Sequence, residues 1–519
     1  MTDLAALSLE EKAAQVLFVR LGSNMPPPVT ADDDAQRVAA ELDQYSVGGL
    51  LVFNGNIDTT PDVLATLQRR SSFPLIVATD MEAGLGQQFA GATVFPHAMA
   101  FSQTGPDPAP LVTKAARAAA REALAAGVHM ALAPVADIHS NPLNPIISIR
   151  AFSSDPLMAA DLAAAYVRTC REEGLLTATK HFPGHGRTSE DSHSTLPRVD
   201  STKEELFDSD LMPFHACIQE ETASIMLAHV WVPSLDPVRR PATFSAAVVD
   251  LLRSELGFSG VIVSDSMRMA AATASSSASS SVEFLRAGGD AVLDPEDTGA
   301  AVREITDAVE SGALPRGRLD EAVGRIAGLR DFLRARHGSK WFTLQPDARS
   351  SREPHGPSHA EIASEVASGA IRILSGAEFV RTMGRSSEAA AVVAIPSTRS
   401  AQLTGPFLDA VRQFIPDDLI SAFPPEAPGE EEVWASVRQS RRVVVALFVR
   451  PAAWHSFGLA PHQHQLVMRL IEARPTIVVA LGSPDILSEF PGAAARMCSY
   501  SDMPPSQVAV VRALFGALS

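Results

Sequence analysis

Short apolar runs separated by helix-like stretches dominate the first two thirds of the chain. The runs are 16–19, 49–53, 75–79, 130–134, 175–179, 224–228, 261–264 and 291–293, eight in all. Each is nearly continuous in its apolar residues instead of alternating, which predicts strands of a parallel sheet buried on both faces. Between them, 110–126 is alanine-rich and ends at Gly127, a residue suited to a left-handed cap, and Ser8-Leu9-Glu10-Glu11 has the spacing of a capping box. Strand-then-helix alternation repeated eight times predicts a closed (β/α)8 barrel of the TIM type over residues 1–335.

A polar stretch, 336–358, carries prolines, glycines, serines and charges without periodicity and predicts an interdomain linker. Beyond it, runs at 371–374, 391–395, 419–422, 443–449 and 476–481 predict a smaller α/β sandwich domain over 359–519. The serine- and alanine-rich segment 271–281 fits a short helix or a connection, and carries no functional assignment.

The chain has 519 residues and a formal net charge of −17, so its field repels phosphate polymers and anionic surfaces. Nucleic acid and membrane are therefore not expected partners. Three cysteines, Cys170, Cys217 and Cys498, lie far apart, outside any zinc or redox spacing, and read as buried side chains. The first residues lack the basic and apolar pattern of a signal peptide, and no segment has the apolar length of a membrane span, which leads us to expect a cytoplasmic protein.

Candidate chemistry gathers where the predicted strands end: Asp80, Asp137, Lys180-His181, His229 and Asp265. In a parallel barrel those ends converge on one face, giving a polar pocket with cations and carboxylates that suits a neutral polyol. Asp265, at the mouth of an apolar strand, can act as a nucleophile toward an anomeric carbon or as a helix cap. Asp191 and His193 flank Ser192, and a carboxylate beside an imidazole fixes its tautomer and raises its basicity. His181 and His185 with Asp191 and His193 nearby raise a metal site as the competing chemistry. Pro183, Gly184 and Gly186 prevent the regular helix that would align the two histidines, so no metal is assigned.

Lys180-His181-Phe182-Pro183-Gly184-His185-Gly186 followed by Asp191-Ser192-His193 resembles the signature of glycoside hydrolase family 3, in its β-N-acetylglucosaminidase branch. Asn144 to Pro156, with Arg150, is similar to the family's sugar-binding arginine segment, and Asp80-Met81-Glu82-Ala83-Gly84 to its Asp-x-Glu-Gly-Gly element. Ser264-Asp265 is similar to its nucleophile strand, and 476–484 to a strand and turn of its sandwich domain.

The resemblance implies hydrolysis of a terminal β-linked N-acetylglucosamine with retention, acting on small saccharides and needing no cofactor. Asp265 would be the nucleophile and His193 the acid/base with Asp191 as its partner. Asp80, Arg150, Lys180 and His181 would hold the sugar, while His185 and His229 would brace the pocket. Met269 would pack in the core or line a wall under the acetamido methyl. Leu85 and Arg187 depart from the pattern, standing where the family often has arginine and aspartate. A neutral imidazole does not repel an incoming anion, so phosphate is an alternative acceptor to water, and Arg187 adds a cation in the same loop.

Overall fold

The computed structural model describes residues 6–192, 194–273, 279–339, 341–342, 358–383, 390–397, 401–427, 429–451 and 457–516. Ser8 accepts from Glu11 N–H while the Glu11 carboxylate accepts from Ser8 N–H, so the capping box forms and opens the helix Leu9–Gln15. Eight strands follow: β1 Leu17–Leu21, β2 Gly49–Val52, β3 Ile76–Thr79, β4 Met130–Ala131, β5 Leu176–Phe182, β6 Ser224–Leu227, β7 Val261–Ser264 and β8 Val292–Leu293. They form one parallel sheet in the order β8-β1-β2-β3-β4-β5-β6-β7. A parallel bridge between Val263 of β7 and Ala291, just before β8, joins the two ends of that order, so the sheet closes on itself.

Helices cover the outside. The helix Pro156–Glu173 shows how the sequence sets their limits: Asp155 caps its start by accepting from Leu157 N–H, Pro156 follows, and Gly174 ends it at φ 84°. Only a residue without Cβ adopts that left-handed conformation readily. The barrel core is aliphatic and aromatic, with Phe18, Phe182, Phe214 and Phe284 fully buried. Phe182, the aromatic of the Lys180–Gly186 motif, meets Phe214 edge to face at 5.3 Å, which anchors that motif in the core.

Two compact units emerge from the chain's internal contacts. The first comprises 1–93, 112–140 and 154–359; the second comprises 94–111, 141–153 and 360–519. The second unit thus draws on three stretches, including two that interrupt the barrel sequence. Its sheet contains β9 Arg372–Ser375, β10 Ala390–Pro396, β11 Ile420–Ala422, β12 Arg442–Val449, β13 Thr476–Gly482 and β14 Ala495–Cys498, in the order β9-β14-β13-β12-β10-β11. All neighbours are parallel except β9 and β14. Within this unit, His97 N–H donates to Ser501 Oγ at 3.1 Å, and the rings of Phe101 and Phe152 meet edge to face, so the interrupting stretches are packed into it.

The helix Arg316–His337 enters the predicted linker, whose residues 343–357 lie outside the described residues, as do 274–278 of the serine-rich segment. No helix among the described residues is long and apolar enough to cross a membrane.

Candidate active site

The loop expected after β5 begins later than the sequence suggests. Lys180 and His181 belong to the strand itself, which runs on to Phe182, and both are buried, at 3% and 6% exposure. Charged groups are tolerated in a buried strand only when paired, and here each is. Lys180 Nζ donates to Asp80 Oδ1 at 2.7 Å and lies 2.7 Å from Glu82 Oε1. His181 Nδ1 lies 2.6 Å from Asp137 Oδ2, which also accepts the His181 backbone N–H at 3.1 Å.

Asp137 is the hub of this arrangement. Its other oxygen, Oδ1, accepts His185 N–H at 2.6 Å, so one carboxylate holds the chain at two points of the motif. Burial pushes its carboxyl up, but the pull of His181 and its hydrogen bond, joined by His185, outweighs this and holds the group below the ordinary carboxylate range. An ionised Asp137 accepts only, so Nδ1 of His181 carries the hydrogen and, in the neutral ring, Nε2 is the acceptor. Gly186 completes the fit, since a Cβ there would stand 1.7 Å from Ile138 O.

Asp265 follows β7, two strands along from β5 in the sheet order, and is partly exposed. Its Oδ1 accepts Ser266 N–H at 2.7 Å. The turn is fixed from β8: Asp294 accepts from Ser266 Oγ on one oxygen and from Arg268 Nε on the other, both at 2.9 Å. The helix-cap role considered for Asp265 does not arise, because the next helix begins at Ala270. Behind β6, His229 is fully buried, with Nδ1 2.8 Å from Thr243 Oγ1 and Nε2 3.1 Å from Ser266 O, so it braces the Asp265 turn.

Asp191 accepts the backbone N–H groups of Ser194 and Thr195 on its carbonyl, each at 3.0 Å. His193, the expected acid/base, lies outside the described residues. Arg150 falls in the second unit, on the turn Ser148–Arg150, where its Nη1 donates to Ile146 O at 2.8 Å. Asn144 shapes that loop by accepting Ile146 N–H at 2.9 Å and Ile147 N–H at 2.6 Å. Arg187 bonds Asp210 and Ser209, each at 2.8 Å, and Leu85 and Met269 are buried.

Asp80, Lys180 and His181 are therefore drawn together at neighbouring strand ends with two residues that carried no individual role in the sequence reading, Glu82 and Asp137. Both had a visible signal: Glu82 stands two residues after Asp80, and Asp137 closely follows the β4 run. Among the described residues no group of three or more His, Cys, Asp or Glu is arranged to hold a metal ion.

Residues 8–329 match the model of the glycosyl hydrolase family 3 N-terminal domain. The chain belongs to glycosyl hydrolase family 3. It is similar to β-hexosaminidase A of Pseudoalteromonas piscicida, 32% identical over 64% of this chain and 60% of that protein. It also resembles the β-hexosaminidase of Pseudomonas aeruginosa, 35% identical over 59% of this chain and 91% of that protein. This family 3 chain thus spans three fifths of the length of the first relative and most of the second. Among solved structures, a family 3 β-N-acetylglucosaminidase from Paenibacillus superposes with a TM-score of 0.81 at 26% identity, covering 99% of this chain and 98% of that one.

Proposed function

We propose that the protein is a retaining β-N-acetylhexosaminidase that removes terminal β-linked N-acetylglucosamine from small saccharides such as cell-wall or chitin fragments. The observation that carries this reading is the convergence of partnered polar groups at the barrel's strand ends: Asp80 after β3, Asp137 after β4, Lys180 and His181 in β5, and Asp265 after β7. Family membership and relatives named for hexosaminidase activity support it.

In this mechanism Asp265 attacks the anomeric carbon while His193, oriented by Asp191, protonates the leaving oxygen. The same histidine then takes a proton from water as the glycosyl-Asp265 ester is cleaved. Asp80 and Lys180 act through charge-assisted hydrogen bonds to sugar hydroxyls, as does His181. Water is the acceptor we favour over phosphate, because Arg187 is ion-paired to the buried Asp210 and its charge is already neutralised. We place the reaction in the cytoplasm, which fractionation of producing cells against a soluble marker checks.

The test is turnover of 4-nitrophenyl N-acetyl-β-glucosaminide with and without phosphate. Free N-acetylglucosamine at a rate independent of phosphate is expected. N-acetylglucosamine 1-phosphate as the product would replace hydrolysis by phosphorolysis, and no release of nitrophenol would reject the reading.

A further inference from the structure

The second histidine of the motif, His185, takes no part in the mechanism above, yet it is 2% exposed and both ring nitrogens face hydroxyls. Nδ1 lies 2.9 Å from Thr188 Oγ1, and Nε2 lies 3.0 Å from Ser192 Oγ. The Thr188 hydroxyl can donate to the ring, or accept from it while donating to the carbonyl oxygen of His185 at 3.0 Å or of Glu190 at 3.4 Å. Either tautomer therefore keeps the ring bonded at both nitrogens, to Thr188 on one side and to Ser192 on the other. The ring is fixed from the other side as well, through the His185 N–H held by Asp137.

The series runs from a strand-end carboxylate to Ser192, itself 2% exposed, and Ser192 is the one residue between Asp191 and His193 in the chain. We infer that His185 is a positioning residue: anchored by Asp137 through its backbone N–H, it holds Ser192 inward and so fixes the chain next to Asp191, one residue before the proposed acid/base. This rests on the roles assigned above to those two residues. Ser192 acts as the far end of the strut and touches no substrate.

Misplacing a proton donor penalises a leaving group that needs protonation and spares one that does not. In a protein with the strut cut, kcat/KM should therefore split by leaving group while a purely structural defect would lower both alike. Ser192→Ala and His185→Ala are compared on phenyl and 2,4-dinitrophenyl N-acetyl-β-glucosaminides, with thermal unfolding confirming the fold. Each is expected to lose about tenfold or more on the phenyl glycoside and less than about twofold on the dinitrophenyl one. The double variant should be no slower than His185→Ala alone, because two ends of one strut are not additive.

Equal losses on both substrates, no loss, or additive losses would overturn the strut. Where His185→Ala does not fold, Ser192→Ala decides alone, since it removes one hydroxyl. Full activity in Ser192→Ala beside a dead Asp265→Ala would remove the strut and leave the proposed reaction standing. A wild-type protein that cleaves neither glycoside would remove both.

Discussion

The two ends of the barrel carry buried charge in opposite ways. At the end where the strands begin, Asp290 accepts from Arg253 at 2.7 Å, Arg325 at 2.9 Å and also Arg318, along with the backbone N–H of Ile262. Arg330 donates to Pro74 O at 2.8 Å and Gly48 O at 3.0 Å, and burial pulls its guanidinium down to about 10. At the end where the strands finish, Asp294 keeps that pattern with Arg268 and Arg20, but around Lys180 the proportions reverse, with one ammonium between Asp80 and Glu82. Both ends satisfy their buried charge, with opposite charges or, for Arg330, with backbone carbonyls. The difference is in the acceptors: at the first end arginines surround one carboxylate, while at the second a quarter-exposed Asp80 has four lone-pair sites and gives Oδ1 to lysine. The first arrangement ties strands together, and the second suits hydroxyl groups arriving from solvent.

Substitutions can break that contrast, and the largest effect is expected at Asp265. Asp265→Ala should lower turnover of the nitrophenyl glycoside by about a thousandfold or more, with the thermal midpoint unchanged. At the opposite end, Asp290→Ala strands three arginines and should cost about 3–5 kcal/mol of stability in urea unfolding, with kcat per folded molecule preserved. A drop in kcat there, or a stable Asp290→Ala protein, would erase the division between the ends.

Acid sensitivity separates them further. Burial, with a smaller push from His337, lowers the His129 imidazole to about 3, and its Nδ1 accepts Val77 N–H at the strand-start end. Below pH 6.5 the unfolded chain binds a proton that the folded one refuses, so stability should fall by about 1.4 kcal/mol per pH unit down to that lowered value. His129→Gln, which keeps an acceptor for Val77, should flatten urea midpoints between pH 6.5 and 4. Asp137 works lower on the scale. Its carboxyl is held below the ordinary range, so its contribution is present above pH 3.8 and is lost as pH falls through its folded value.

How much of this was legible in the sequence depends on range. All eight barrel strands were, because a buried parallel strand writes its apolar run directly into consecutive residues. The end of β5 was not: Lys180 and His181 read as loop residues until Asp80, Glu82 and Asp137, distant in sequence, supply the partners that let them stay in a buried strand. β14 was hidden because Ala495-Arg496-Met497-Cys498 carries an arginine in a four-residue run. That Arg150 belongs to the second unit is likewise a product of packing between separated stretches, which no local pattern encodes. The role of Asp137 as a clamp on both motif histidines emerges only once β4 and β5 lie side by side.

The smallest effect is expected at the cysteines. Burial pushes the thiols of Cys170, Cys217 and Cys498 up to about 12, so iodoacetamide at pH 8 should leave the native protein unmodified and alkylate all three only in denaturant. Labelling of the native protein would show that these sites open.

The proposed chemistry at the strand-finish end turns on a covalent bond to Asp265. Its most direct test is incubation with a 5-fluoro N-acetylglucosaminyl fluoride, which slows both steps and accumulates the intermediate, followed by digestion and peptide mass spectrometry. A single glycosyl adduct on the peptide containing Asp265 is predicted. A label on any other residue, or an unlabelled protein that still turns over the nitrophenyl glycoside, would rule out Asp265 as the nucleophile.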